Sequence, residues 1–112
     1  MTLIQLILVI CIVLMLSVGQ VLFKLVAMDM KSFNLLAFTQ TKMILALLTY
    51  AVATVLWIFI LRQTPLSIAY PFVSLSFLIV PLLSWSFLGE QYTLNTIIGG
   101  FIVLIGLWIA NS

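Results

Sequence analysis

A chain of 112 residues that is 66% apolar and 5% charged, with a formal net charge of +2, is not a water-soluble domain, because ordinary globular chains carry about 25% charged and about 45–50% apolar residues. Nor does it have the high charge and low hydrophobicity of a disordered chain. With no histidine, one cysteine and two carboxylates it has little to offer a metal centre, a cofactor or a catalytic triad, and its few scattered cations exclude a nucleic-acid partner; an integral membrane protein remains.

The charged residues Lys24, Asp29, Lys31, Lys42, Arg62 and Glu90 divide the chain into apolar runs. A spanning helix needs about 20 residues, because the hydrocarbon layer is ~30 Å thick and the rise is ~1.5 Å per residue. Runs 3–26, 43–61 and 65–88 meet that length, and 94–110, the shortest, is long enough if Thr93 and Asn111 lie at the interface. A β-barrel would show alternating segments of about ten residues instead. The expectation is therefore an all-α integral membrane fold, with residues 1–112 forming a single domain of four transmembrane helices.

The first helix has no basic n-region, and its apolar stretch exceeds the 7–15 residues of a signal peptide's core, so it reads as a retained span. Cys11 has no partner for an intrachain disulfide. Between the first two helices, 27–41 mixes polar residues with Phe33, Leu35, Leu36 and Phe38; a short interfacial helix and an irregular loop are both compatible with it. Arg62-Gln63-Thr64-Pro65 and Gly89-Glu90-Gln91-Tyr92-Thr93 read as tight turns. Thr93 is the candidate N-cap of the last helix, and Glu90 is placed as an interfacial cap near the positive end of its dipole. Three lysines flank the first connection and Arg62 alone the second, which by the positive-inside rule favours both termini outside the cytoplasm.

Polar side chains are costly in hydrocarbon unless they face protein or a wet cavity. Ser17, Gln20 and Lys24 share one face of the first helix; Tyr50, Thr54 and Trp57 one face of the second; Ser67, Tyr70, Pro71, Ser74, Leu78, Pro81 and Trp85 one face of the third. These stripes are candidates to line a shared cavity. The alternative for each hydroxyl is a bond within its own helix or to a neighbour, and for Trp57 and Trp85 a place in the interfacial belts. Lys24 either snorkels to the headgroups or holds an anion as a point charge; Arg62 is either an anchor or a second anion contact. Pro71 and Pro81 each remove a backbone hydrogen bond, which makes the third helix the candidate hinge. Gly99 and Gly106, seven residues apart on the last helix, allow close approach of another helix.

The run Pro65-Leu66-Ser67-Ile68-Ala69-Tyr70, the stretch Leu83-Ser84-Trp85-Ser86-Phe87-Leu88-Gly89-Glu90 and Ile97-Ile98-Gly99 resemble the drug/metabolite transporter superfamily, and its small multidrug resistance branch along nearly the whole chain. That resemblance implies a dimer, commonly antiparallel, with Gly99 and Gly106 as the dimer contact. Drug exporters of that branch carry a first-helix glutamate that exchanges proton and cation, and Leu16 stands at that position here. Ser17-Val18-Gly19-Gln20-Val21-Leu22-Phe23-Lys24 and Ser67-Ile68-Ala69-Tyr70-Pro71 with Ser74-Leu75 are similar to the small subunits of aminoarabinose-phosphoundecaprenol flippases. This implies a flippase for a polyprenyl-phosphate-linked sugar in the bacterial inner membrane, acting as a homodimer or with a paralogous small subunit. Its substrate-binding residues would be Ser17, Gln20, Lys24, Tyr50, Arg62, Tyr70 and Ser74, with neither metal nor cofactor. An exporter of small cations or metabolites coupled through Glu90, and a non-transporting partner subunit, are the alternatives. An enzyme is not expected, for want of a nucleophile–base pair.

Overall fold

A computed structural model describes residues 2–30 and 40–111. Most of the first connection, with the segment expected as an interfacial helix or loop, lies outside the described residues. The elements are α1 (Leu3–Asp29), α2 (Thr41–Leu61), α3 (Leu66–Ala69), a 3₁₀ segment (Tyr70–Leu75), α4 (Ser76–Leu83), a π-helical turn (Ser84–Leu88) and α5 (Leu94–Ala110). There is no strand among the described residues. Leu3–Asp29, Thr41–Leu61 and the composite Leu66–Leu88 are each long and apolar enough to cross a membrane. The protein is thus an all-α, multi-pass membrane protein. The 17 residues of α5 rise about 26 Å at ~1.5 Å each.

α1 opens with a reciprocal cap. The Thr2 hydroxyl accepts from the Gln5 amide at 3.2 Å, and the Gln5 side chain accepts from the Thr2 amide at 3.1 Å, satisfying donors that a helix start otherwise leaves unpaired. The helix runs past Val26 to Asp29, with no glycine or proline in residues 20–29 to break it, and the Met30 N–H still reaches the Val26 carbonyl. Its 27 residues span about 40 Å, more than the ~30 Å of hydrocarbon. Lys24 is therefore inside the helix, in its last two turns. α2 starts at Thr41, two residues before the apolar run, and Lys42 pairs with Asp29 across the connection at 3.0 Å.

The third span is not one regular helix. Pro71 and Pro81 each withhold a backbone donor, and the chain passes from α through 3₁₀ and back to α before widening to a π turn, the windings by which helices absorb such breaks. It ends at Gly89, whose φ of 70° is left-handed, a conformation that glycine adopts without steric penalty.

α1 and α2 are antiparallel. Gln5 Nε2 donates to Gln63 Oε1 at 2.7 Å at one end, and the Lys42–Asp29 pair closes the other. The third span packs on α1 and its start also meets α2, and α5 packs on the third span, giving a molecule of 47 × 36 × 19 Å. The core is Val9, Ile12 and Val13 of α1 against Ala53, Ile60 and Ala69. Ala46, Ala53 and Ile60 recur every seven residues on the buried stripe of α2. Lipid tails are as apolar as leucine, so this association depends on small residues that let backbones approach rather than on water exclusion. Outward-facing Leu48, Val55, Phe101, Ile102 and Ile105 are exposed, as a lipid-facing surface requires.

Candidate functional site

Between α1, α2 and the start of the third span lies a groove of about 160 Å³, lined by Leu16, Ala53, Thr54, Trp57, Tyr70 and Val73. Tyr70 is shared with a wider, shallower depression of about 490 Å³ formed with Leu66, Ser67 and Pro71, so the groove opens toward the end of the bundle that carries Arg62. No carboxylate lines it. Its polar edge is the Thr54 hydroxyl, which bonds back to the Tyr50 carbonyl at 2.8 Å, and the Tyr70 phenol on a largely exposed side chain.

The expected polar residues do not gather in one place. Ser17 is fully buried, its hydroxyl donating to the Val13 carbonyl at 2.8 Å and lying 3.4 Å from that of Ser76; it ties α1 to α4. Gln20 is exposed, and its Nε2 donates to the Tyr50 phenol at 2.6 Å. Tyr50 lies over Gly19, where an added Cβ would come within 2.8 Å of the ring, and its ring meets Phe23 with centroids 5.4 Å apart. Lys24, one turn further on, is exposed and makes no ion pair or hydrogen bond among the described residues. The Ser74 hydroxyl donates to the Pro71 carbonyl, within its own 3₁₀ segment. Of the stripe residues expected to share a cavity, Thr54, Trp57 and Tyr70 line the groove and Ser67 and Pro71 the depression beside it, while Gln20, Tyr50 and Lys24 do not line it.

Arg62 sits in the turn after α2, at the end opposite Lys24. The 21 residues of α2 separate those ends by about 30 Å, so the two cations lie at opposite ends of the α1–α2 pair. Of the glycines singled out on α5, Gly99 has the Phe77 ring 3.6 Å from a built Cβ, whereas Gly106 meets nothing within 4 Å. Among the described glycines, Gly100 is the one most tightly covered, by the Leu78 side chain, which heptad spacing did not pick out. Leu16, Ala53 and Val73 of the groove carried no signal of their own, being apolar residues in apolar helices.

The comparisons with known proteins bear on this arrangement. Over 65 residues the chain is 38% identical to a protein of Yersinia enterocolitica named "Probable 4-amino-4-deoxy-L-arabinose-phosphoundecaprenol flippase subunit ArnF", in a match taking in 56% of this chain and 51% of that protein. The chain is similar to flippase subunits. The ArnE subunit of Yersinia pestis, named in the same terms, is 33% identical over 67 residues, which are 60% of this chain and 59% of that one. The chain thus spans between about half and three-fifths of the length of these curated relatives. No family model and no solved structure matches it.

Proposed function

We propose that this chain is a subunit of a dimeric flippase that carries the head of a polyprenyl-phosphate-linked aminosugar across the bacterial inner membrane, with all four helices spanning and α5 meeting a second subunit. The observation that carries the reading is the similarity to two flippase subunits over more than half of the chain. The groove agrees with it. It is open toward one end of the bundle, and its aromatic walls, Trp57 and Tyr70, offer faces to a sugar ring. The Gln20–Tyr50 bond joins α1 to α2 one turn along from Leu16 and Thr54 of the groove. In this mechanism the polyprenyl tail stays in lipid, so only the head group bears the desolvation cost of several kcal/mol. Lys24 receives the phosphate at one face and Arg62 at the other, and the irregular windings around Pro71 and Pro81 let the third span shift between the two openings.

Transport of this kind needs no chemistry on the substrate, and we assign the chain no catalytic step. Exchange of protons for cationic drugs is disfavoured because a shared site for the two requires an acid at membrane depth, and Leu16 stands in the groove where that acid would be. The test is reconstitution in proteoliposomes, alone and with a paralogous small subunit, with labelled undecaprenyl-phosphate aminoarabinose. The reading expects head-group translocation and no proton release on addition of quaternary ammonium compounds. Proton release without lipid translocation would replace it with the exporter alternative. Translocation that needs the paralogue would establish a heterodimer.

A further inference from the structure

The geometry points to a second polar site, at the membrane surface: the cup between the third span and α5, walled by Trp85, Glu90 and Tyr92, takes a lipid-borne primary ammonium group. The cup has a volume of about 430 Å³ and is completed by Gly89, Gln91 and Thr93. It exists because Gly89 adopts φ 70° and turns the chain back, so that residues 90–93 fold beside the exposed indole of Trp85. The Glu90 carboxylate has no hydrogen bond or ion pair among the described residues. It is not committed to capping α5, because the Thr93 hydroxyl already accepts from the Thr96 amide at 3.3 Å.

A carboxylate lining one cup with two amphipathic aromatic residues has a definite chemical preference. It attracts an ammonium by charge-assisted hydrogen bonding and through the negative ring faces, and it repels an anion. Trp and Tyr are also the side chains that settle at headgroup level, which is where a lipid's amine lies. The antiparallel course of the spans puts Glu90 at the same end of the bundle as Lys24. A head group with both a phosphate and an amine would therefore find an opposite charge for each at one membrane face. That pairing rests on the flippase reading; the preference of the cup for an ammonium does not. Two lipids supply the same chemistry, an aminosugar on a polyprenyl phosphate and phosphatidylethanolamine.

The experiment uses the full chain in phosphatidylcholine nanodiscs, with tryptophan fluorescence as readout and Trp85→Phe to assign the signal. The titrants are undecaprenyl-phosphate 4-amino-4-deoxyarabinose, its N-acetylated analogue, which has no cation, and phosphatidylethanolamine. The expected result is that Glu90→Gln weakens the amine-bearing lipid about tenfold, the scale of one partly desolvated cation contact, leaves the N-acetylated lipid unchanged, and that Glu90→Asp restores most of the difference. If Glu90→Gln weakens the amine and N-acetyl forms equally, or affects neither, the cup is not an ammonium site. If phosphatidylethanolamine shows the Glu90 dependence while neither glycolipid binds, the cup stands and the flippase reading fails. If the aminosugar lipid is bound and translocated without regard to Glu90, the flippase reading stands and the cup fails.

Discussion

Gln20 and Tyr50 join α1 to α2 by a hydrogen bond of 2.6 Å, at the level where the Tyr50 ring rests on the backbone of Gly19. One contact is polar and the other steric, and two variants separate them. Tyr50→Phe removes the bond and keeps the ring, which should cost about 0.5–1 kcal/mol for an interhelical hydrogen bond. Gly19→Ala places a Cβ 2.8 Å from the ring, so the ring or the helices must shift, at about 1–3 kcal/mol for overpacking. Thermal unfolding in detergent should rank Gly19→Ala below Tyr50→Phe, and the reverse order would mean that the ring does not lie on the glycine.

Gly100 and Gly106 should respond in opposite ways. A Cβ on Gly100 overlaps Leu78, while one on Gly106 meets nothing within 4 Å. Gly100→Ala is expected to lower stability by about 1–3 kcal/mol, and combining it with Leu78→Ala should cost less than the sum of the two, because residues in contact couple. Gly106→Leu should leave monomer stability unchanged and lower the dimer fraction, read by native mass spectrometry from mild detergent.

Lys24 and Arg62 stand at opposite ends of the α1–α2 pair, so their loss should be felt from opposite sides. In sided proteoliposomes, Lys24→Ala should slow head-group transfer started from one face about tenfold, and Arg62→Ala transfer started from the other, as expected for one charge-assisted contact. Equal slowing from both faces by either variant would count against the separate roles.

The Lys42–Asp29 pair should matter little. Both side chains are about half exposed, at 52% and 55%, and exposed ion pairs contribute about 0.2–1 kcal/mol. Lys42→Ala should therefore shift the unfolding midpoint in detergent only slightly, and raising the salt concentration should remove the difference.

The membrane class and the approximate limits of the helices were legible in the chain itself, because hydrocarbon thickness and helical rise fix how long an apolar run must be. The Thr93 cap and the irregularity at Pro71 and Pro81 were legible for a similar reason, since each depends on local backbone chemistry. α1 overran its apolar run to Asp29 because a helix ends where its backbone bonding ends, not where its hydropathy does. What faces what was decided only by packing. Ser17, Gln20 and Lys24 share a stripe on one helix, yet Ser17 turns to Ser76, Gln20 to Tyr50, and Lys24 to the surface, since residues three or four apart differ by enough rotation to meet different neighbours. Leu16, Trp57 and Tyr70 face one another because three helices converge there, and one helix's periodicity carries no information about the rotation of the next. Gly100 rather than Gly99 takes the closest contact for the same reason: glycines mark where helices are able to approach, and the partner's side chains determine which of them is used.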